Sequence, residues 1–190
     1  MAAVTYASSP HSVRRDLADA HLRAWDRLAE PGTWLDGATR VAVAAATREA
    51  QICGLCRLRK QSVSPNAQTG PNTVPNTGPN TGPNTGPHDD TSALPERWVD
   101  IVHRIATDPG RLTRGWFDRA VPEHIEDGAY VELVSIVAHV TAIDTFARGI
   151  GSDLWPLPTA RPGCRQSVGT STAPAKRTIF KVYPPTSRWR

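Results

Sequence analysis

The sequence predicts an all-α fold, and three of its features support that class. Several segments repeat apolar residues at spacings of three and four, which place those residues on one face of a helix. Proline and glycine lie between these segments, where they end helices. No segment within residues 1–158 shows the convincing alternation of apolar and polar residues that is expected of a β-strand. A chain of 190 residues is by length one domain with room for a buried core.

The N-terminal part of the chain predicts three helices. Residues 11–29 carry apolar side chains at helical spacings with Arg and Asp between them, and a Glu-Pro-Gly sequence ends this helix. Asp36 is predicted to be the N-cap of a second helix, residues 37–50, whose Ala and Val content suits close packing. A short third helix is predicted to begin at or near Cys53 and to run to about Lys60.

The C-terminal part predicts three further helices. The first begins near Pro95, carries one apolar stripe and stops at an Asp-Pro-Gly sequence. A short helix is predicted near residues 112–120. Asp127 is predicted to cap a helix of about twenty residues that Gly149 or Gly151 closes. Because this last helix is apolar on most of its circumference, we expect it to be a central or interface helix.

Two segments lack a helical pattern and set the predicted domain organisation. Residues 70–87 form a four-residue repeat with Pro in every unit, so residues 63–93 are predicted to be a disordered or extended insertion. This insertion interrupts a helical domain that covers residues 1–158. Residues 159–190 are predicted to be an irregular basic tail, in which Cys164 is isolated and exposed.

The charges and apolar segments predict a soluble cytosolic protein. Seven of the 22 cations and none of the 18 acids lie between Arg161 and Arg190, so residues 1–160 carry a small negative charge and give no support to nucleic-acid binding. The N-terminus lacks a signal-peptide core, and charged residues interrupt the most apolar segment, residues 128–150. Within it, Asp144 is predicted to pair with Arg148, four residues further along the helix.

The segment EAQICGLCRLRK contains two of the three cysteines, Cys53 and Cys56, in a Cys-x-x-Cys pair. At the start of a helix, free backbone N–H groups favour the thiolate form of the first cysteine, and the second lies within bridging distance. Arg57, Arg59 and Lys60 add positive charge that would lower the thiol pKa values further. The pattern therefore favours a redox pair, with two buried thiols or a metal site as alternatives.

The metal alternative is weakened by the other residues of the chain. A structural zinc site usually needs a second Cys-x-x-Cys or a pair of closely spaced histidines, and the sequence offers neither. We therefore predict no metal ligand and no cofactor. The histidines occur singly, at His11, His21, His88, His103, His124 and His139.

Two stretches, WLDGATRVAVAAATREAQICGLCRLRK and YVELVSIVAHVTAIDTFARGIGSDLWPLP, resemble the alkylhydroperoxidase D-like / carboxymuconolactone decarboxylase superfamily, in particular its peroxidase-related members. The resemblance covers roughly residues 11–62 and 95–158. It implies an all-helical fold that forms homo-oligomers and a thiol peroxidase that reduces hydroperoxides at the expense of a dithiol or protein thiol. In that scheme Cys56 attacks the peroxide and Cys53 resolves the sulfenic acid as a disulfide.

The chain departs from that family at its proton relay. The peroxidase members carry a His four residues after the second cysteine and a Glu twelve before the first, where this chain has Lys60 and Val41. Glu132 and His139, seven residues apart on the long helix, are candidates for a substitute relay, and Lys60 and Arg57 for thiolate support. The alternatives are a solvated Glu132 with a His139 bonded to backbone, and a catalytically degenerate helical module that serves in assembly or partner binding.

Overall fold

The structure is a computed structural model that describes residues 5–61 and 87–163. Within those two ranges it contains α-helices, one short 3-10 helix at Pro109–Arg111 and no β-strand, so the predicted all-α class is confirmed. The α-helices are α1 Arg15–Leu28, α2 Gly37–Ala50, α3 Gly54–Gln61, α4 Glu96–Thr107, α5 Arg114–Ala120 and α6 Asp127–Gly149.

The ends of α2 and α6 follow from local side-chain and backbone chemistry. The carboxylate of Asp36 accepts a hydrogen bond from the backbone N–H of Thr39 at 2.8 Å, as the predicted N-cap requires. The N-cap of α6 is Glu126, and Asp127 is the first residue of the helix. The prediction that Asp127 caps this helix is therefore wrong by one position. After α6, Gly151 adopts a positive φ of 68° and donates its N–H to the carbonyl of Arg148, which ends the helix where only glycine is unstrained.

Helix α6 lies in the core and packs against α2 and α4. It is the one helix of the described residues that is long and apolar enough to cross a membrane by length and composition. Eight of its 23 residues are buried against the rest of the described protein. The main core residues of these three helices are Val43, Ala44, Ala46, Ile101, Val102, Leu133, Ile136, Val137, Val140 and Ile143.

A buried ion pair joins α2 to α6. The Nε and Nη2 atoms of Arg48 donate to the two carboxylate oxygens of Asp144 at 2.8 and 2.7 Å. The guanidinium of Arg48 also lies 5.0 Å from the centroid of the Trp25 ring. Asp144 therefore pairs with a residue of another helix and not with Arg148, the neighbour that helical spacing predicted, whose side chain is exposed.

The predicted boundary at residue 158 is followed by a short stretch that still contacts the helices. The backbone N–H of Arg161 donates to the carbonyl of Ala29 at 2.7 Å, and its guanidinium pairs with Glu30 at 2.9 Å. Residues 159–163 thus lie against the end of α1 without regular secondary structure. The rest of the predicted tail, Cys164 included, falls outside the described residues.

Candidate functional site

The Cys-x-x-Cys pair lies at the corner between α2 and α3. Cys53 immediately precedes Gly54, the first residue of α3, and Cys56 lies in the first turn of that helix. The two cysteines are 1% and 4% exposed, and no disulfide joins them. The corner is fixed by backbone bonds, since the N–H of Cys53 donates to the carbonyl of Glu49 and its carbonyl accepts from Arg57. The chain geometry thus holds both sulfurs on the inner side of α3.

His88 contacts both sulfurs with one ring nitrogen. Its Nδ1 lies 3.5 Å from Sγ of Cys53 and 3.6 Å from Sγ of Cys56. Its Nε2 lies 3.0 Å from Oδ1 of Asp100, a residue of α4. The same carboxylate oxygen accepts a hydrogen bond from Nη1 of Arg59 at 2.6 Å. His88 therefore bridges the two thiols and a carboxylate that a guanidinium holds in place.

His103 contacts the second cysteine as well. It lies on α4, is fully buried, and has its Nδ1 3.5 Å from Sγ of Cys56. Its Nε2 faces Oδ1 of Asp90 at 3.6 Å. The rings of His103 and His88 pack edge to face with their centroids 4.3 Å apart. The Sγ of Cys56 thus has two imidazole nitrogens within 3.6 Å.

The residues that follow the proline-rich repeat are fastened to the corner. The side chain of Asp89 accepts a hydrogen bond from the backbone N–H of Gly54 at 2.7 Å. The backbone N–H of Thr91 donates to the carboxylate of Glu49 at 2.9 Å. Residues 87–93, which the sequence assigned to the disordered insertion, therefore form one wall of the site. The remainder of that predicted insertion, residues 63–86, falls outside the described residues.

The four groups perturb one another's pKa values. Burial would lower the pKa of His88, but hydrogen bonds with Asp100 and the two thiols raise that pKa to about 10. Burial and the nearby His88 lower the pKa of His103 to about 4. Burial would raise the pKa of Cys53, but backbone N–H groups and His88 lower it below its ordinary value. Burial also opposes ionisation of Asp100, yet His88 and Arg59 hold its pKa far below the usual range.

The side chains form one compact cluster of nucleophiles and bases. The ligand atoms of Cys53, Cys56, His88 and His103 all lie within 4.8 Å of one another. Such a set of atoms can move protons to and from sulfur, and it can also bind a soft or borderline metal ion.

The cations predicted to support a thiolate differ in their placement. Arg57 and Lys60 have exposed side chains, and Arg57 donates to the backbone carbonyl of Ile52 at 3.4 Å. Arg59 is the buried member of the group and reaches the site through Asp100. The electrostatic support at the thiols therefore comes through Arg59 and His88.

The two candidate relay residues of α6 lie at a different surface. Glu132 pairs with Arg40 and accepts a hydrogen bond from the backbone N–H of Trp34 at 2.9 Å. The exposed ring of His139 donates from Nδ1 to the carbonyl of Ser135 at 2.7 Å. Both residues line a cleft of about 340 Å³ between α1, α2 and α6, and neither cysteine lines it. The structure thus does not bring this pair to the thiols.

Sequence reasoning missed both histidines of the site. His88 lies 32 positions from Cys56 and His103 lies 47 positions from it, so no spacing rule connects them. Two signals were present in the sequence. His88 follows the last repeat unit directly and precedes two aspartates, and His103 lies four residues after Val99 on the apolar face of α4.

The chain matches no family model, and neither a curated protein nor a solved structure matches it significantly. The resemblance described above thus depends on the residues of this sequence alone.

Proposed function

We propose that the chain is a thiol-dependent oxidoreductase that reduces hydroperoxides through Cys53 and Cys56. The observation that supports this proposal most is the position of His88, whose Nδ1 lies within 3.6 Å of both sulfurs. The family that the sequence resembles uses a His and a Glu as proton relay, and this chain lacks both at the matching positions. In place of that pair, His88 offers an imidazole, and Asp100 offers the carboxylate that orients it.

In the first step Cys56 is the nucleophile. The thiolate sulfur attacks the terminal oxygen of the hydroperoxide, an S–O bond forms and the O–O bond breaks. The departing alkoxide takes up a proton and leaves as an alcohol, and Cys56 becomes a sulfenic acid. His88 is placed to hold the proton of the thiol and to release it to the leaving oxygen.

In the second step Cys53 resolves the sulfenic acid. Its thiolate attacks the sulfur of Cys56, the disulfide forms, and hydroxide leaves with a proton as water. The same nitrogen of His88 lies 3.5 Å from Sγ of Cys53, so one imidazole serves both steps. An external dithiol or protein thiol then reduces the disulfide by exchange and restores the pair.

The surroundings of the thiols favour a small substrate. Because both sulfurs are almost fully buried, a small hydroperoxide reaches them with less displacement of side chains than a bulky one. Ile52 and Leu58 flank the pair with large exposed apolar side chains, which suit contact with a reductant or with a second copy of the chain. A cytosolic location and a homo-oligomer belong to the same proposal.

Four variants test the mechanism. Turnover of hydrogen peroxide with a dithiol reductant should disappear in Cys56→Ser, and Cys53→Ser should accumulate a sulfenic acid at Cys56 that a dimedone-type probe traps for mass spectrometry. His88→Gln should lower turnover by about 10²–10⁴-fold, the usual effect of losing a positioned acid or base. His124→Gln is the matched control, since its side chain is exposed and is not one of the clustered residues.

The results also separate this mechanism from a helical module without activity. If Cys56 of the folded wild-type protein stays a thiol under excess peroxide, the enzyme proposal fails and the degenerate module takes its place. If His88→Gln turns over as fast as His124→Gln, the relay assigned to His88 is wrong.

A further inference from the structure

We propose that Cys53, Cys56, His88 and His103 bind one Zn²⁺ ion in the reduced protein, as a closed four-ligand Cys₂His₂ centre. Metal binding itself does not depend on the peroxidase proposal, and it has its own readout.

The distances in the cluster fit a tetrahedral zinc site. Zinc binds thiolate sulfur at about 2.3 Å and imidazole nitrogen at about 2.0–2.1 Å, so sulfur and nitrogen ligands of one tetrahedron lie about 3.5–3.6 Å apart. Three such edges have lengths of 3.5, 3.6 and 3.5 Å, namely Cys53–His88, Cys56–His88 and Cys56–His103. The fourth sulfur–nitrogen pair and the like-atom pairs are all within 4.8 Å.

The two carboxylates orient both imidazoles toward a common point. Asp100 accepts from Nε2 of His88, and Asp90 faces Nε2 of His103, so when a metal ion displaces the protons from Nδ1 each carboxylate favours the tautomer that keeps its proton on Nε2. In that tautomer the lone pair of each Nδ1 points to the sulfurs. A carboxylate behind a ligating histidine is the usual second contact of a zinc-bound imidazole.

A proton relay alone does not account for this arrangement. Transfer of a proton from one thiol requires one nitrogen near one sulfur, as His88 and Cys56 already provide. His103 adds a second nitrogen at Cys56, and its Nε2 and the facing Oδ1 of Asp90 are buried without a hydrogen bond. In the metal-free protein, protons between the sulfurs and the Nδ1 atoms hold these four atoms close together, and a divalent cation takes the place of such protons when it binds.

The ligand set selects zinc among the common divalent ions. Two thiolates and two imidazoles form the soft to borderline donor set that zinc prefers in tetrahedral sites, whereas calcium and magnesium require oxygen ligands. Because four protein ligands complete the tetrahedron, no position stays open for water or substrate, which is typical of structural zinc.

Zinc and hydroperoxide would then compete for the same two thiolates, and this second part rests on the proposed function. The zinc-bound dithiolate, one hydroperoxide and two protons yield the disulfide, free Zn²⁺, an alcohol and water, so the peroxide is the oxidant and the sulfurs supply both electrons. Metal occupancy would protect the reduced pair from oxidation.

The test measures zinc affinity in the full chain. Reduced, metal-free protein carrying Cys164→Ser, which removes the third thiol, is titrated with Zn²⁺ against a chromophoric chelator. We expect one ion per chain, and with Co²⁺ as the probe we expect the absorption bands of a tetrahedral site with thiolate ligands. His103→Ala should abolish the tetrahedral Co²⁺ spectrum, whereas His124→Ala should keep it.

A second, milder variant keeps the test valid if His103→Ala does not fold. Asp100→Asn keeps all four ligands and should weaken zinc binding by about 10–100-fold, as is usual for the second contact of a ligating histidine. Far-UV circular dichroism reports the folding of each variant. The zinc site is overturned if the folded wild-type protein does not bind one Zn²⁺ ion per chain. It is also overturned if His103→Ala and Asp100→Asn both leave the zinc affinity unchanged.

The second part has its own measurement. Saturating Zn²⁺ should slow formation of the Cys53–Cys56 disulfide under peroxide, and a chelator should restore it. Equal rates with and without bound zinc would refute the competition while leaving the metal site in place. If the protein binds zinc but its metal-free, reduced form is not oxidised by peroxide, the proposed function is refuted and the zinc site stands.

Discussion

The ion pair between α2 and α6 provides a direct test of how the core is held together. Asp144 has a side chain that is 5% exposed, and its partner Arg48 is 21% exposed and donates two hydrogen bonds to it. Removing one partner of a buried pair costs about 3–5 kcal/mol, because the other charge stays buried without compensation. Since Arg48 keeps some contact with water and with the Trp25 ring, we expect Asp144→Ala to cost about 3 kcal/mol.

The measurement is urea unfolding of the reduced protein in the presence of a chelator. The reductant keeps the cysteines as thiols, and the chelator keeps them free of metal ions. The double variant Arg48→Met/Asp144→Leu should recover most of the loss, since an apolar pair of similar volume replaces a buried ion pair at little net cost. Asp118→Ala removes the exposed pair with Arg114 and is the control, with an expected change below about 1 kcal/mol. The reasoning fails if Asp144→Ala loses no more stability than this control.

Three further predictions concern the rest of the chain. Replacing residues 63–86 with a short Gly/Ser linker should leave the melting temperature nearly unchanged, because the cost of loop closure varies slowly with length. A replacement that also removes His88 should lower the melting temperature, because the contacts of His88 with the two sulfurs and with Asp100 are lost. Equal melting temperatures for the two replacements would contradict a stabilising role of those contacts. Glu132→Ala should lower the free energy of unfolding by about 1–3 kcal/mol, because the backbone N–H of Trp34 loses its acceptor, and urea unfolding measures the loss. Free Zn²⁺ at a hundred times its dissociation constant should stabilise the protein by about 2.7 kcal/mol, and a calorimetric scan without that shift would contradict zinc binding to the folded state.

Local signals predicted most of the helical architecture. The sequence predicts Asp36 as an N-cap because the cap and the N–H group from which it accepts a hydrogen bond are only three residues apart. The apolar spacings predicted the helices near their observed bounds for the same reason. The predicted cap at Asp127 is one position too late, since a carboxylate in the first turn and one at the cap look alike in a sequence.

The candidate site could be predicted only in part. The Cys-x-x-Cys pair is a local motif that the sequence displays, but its histidines come from α4 and from the stretch that precedes α4. Asp144 shows the same limit, because its partner Arg48 is 96 positions away and only the packing of α2 on α6 brings them together. Rules based on spacing along one helix selected Arg148 and the Glu132–His139 pair, and packing placed these residues elsewhere.

The order of the site residues along the chain has a consequence during protein synthesis. The two cysteines leave the ribosome before either of their imidazole partners, and His103 follows Cys56 by 47 positions. At about 5–20 residues per second, that separation corresponds to about 2–9 s of translation. For the first 32 of these positions the two thiols lack both histidines, and for the rest of the interval they still lack His103. The chemistry of the Cys-x-x-Cys pair is therefore a property that the protein acquires only after α4 has been made and has packed against α3.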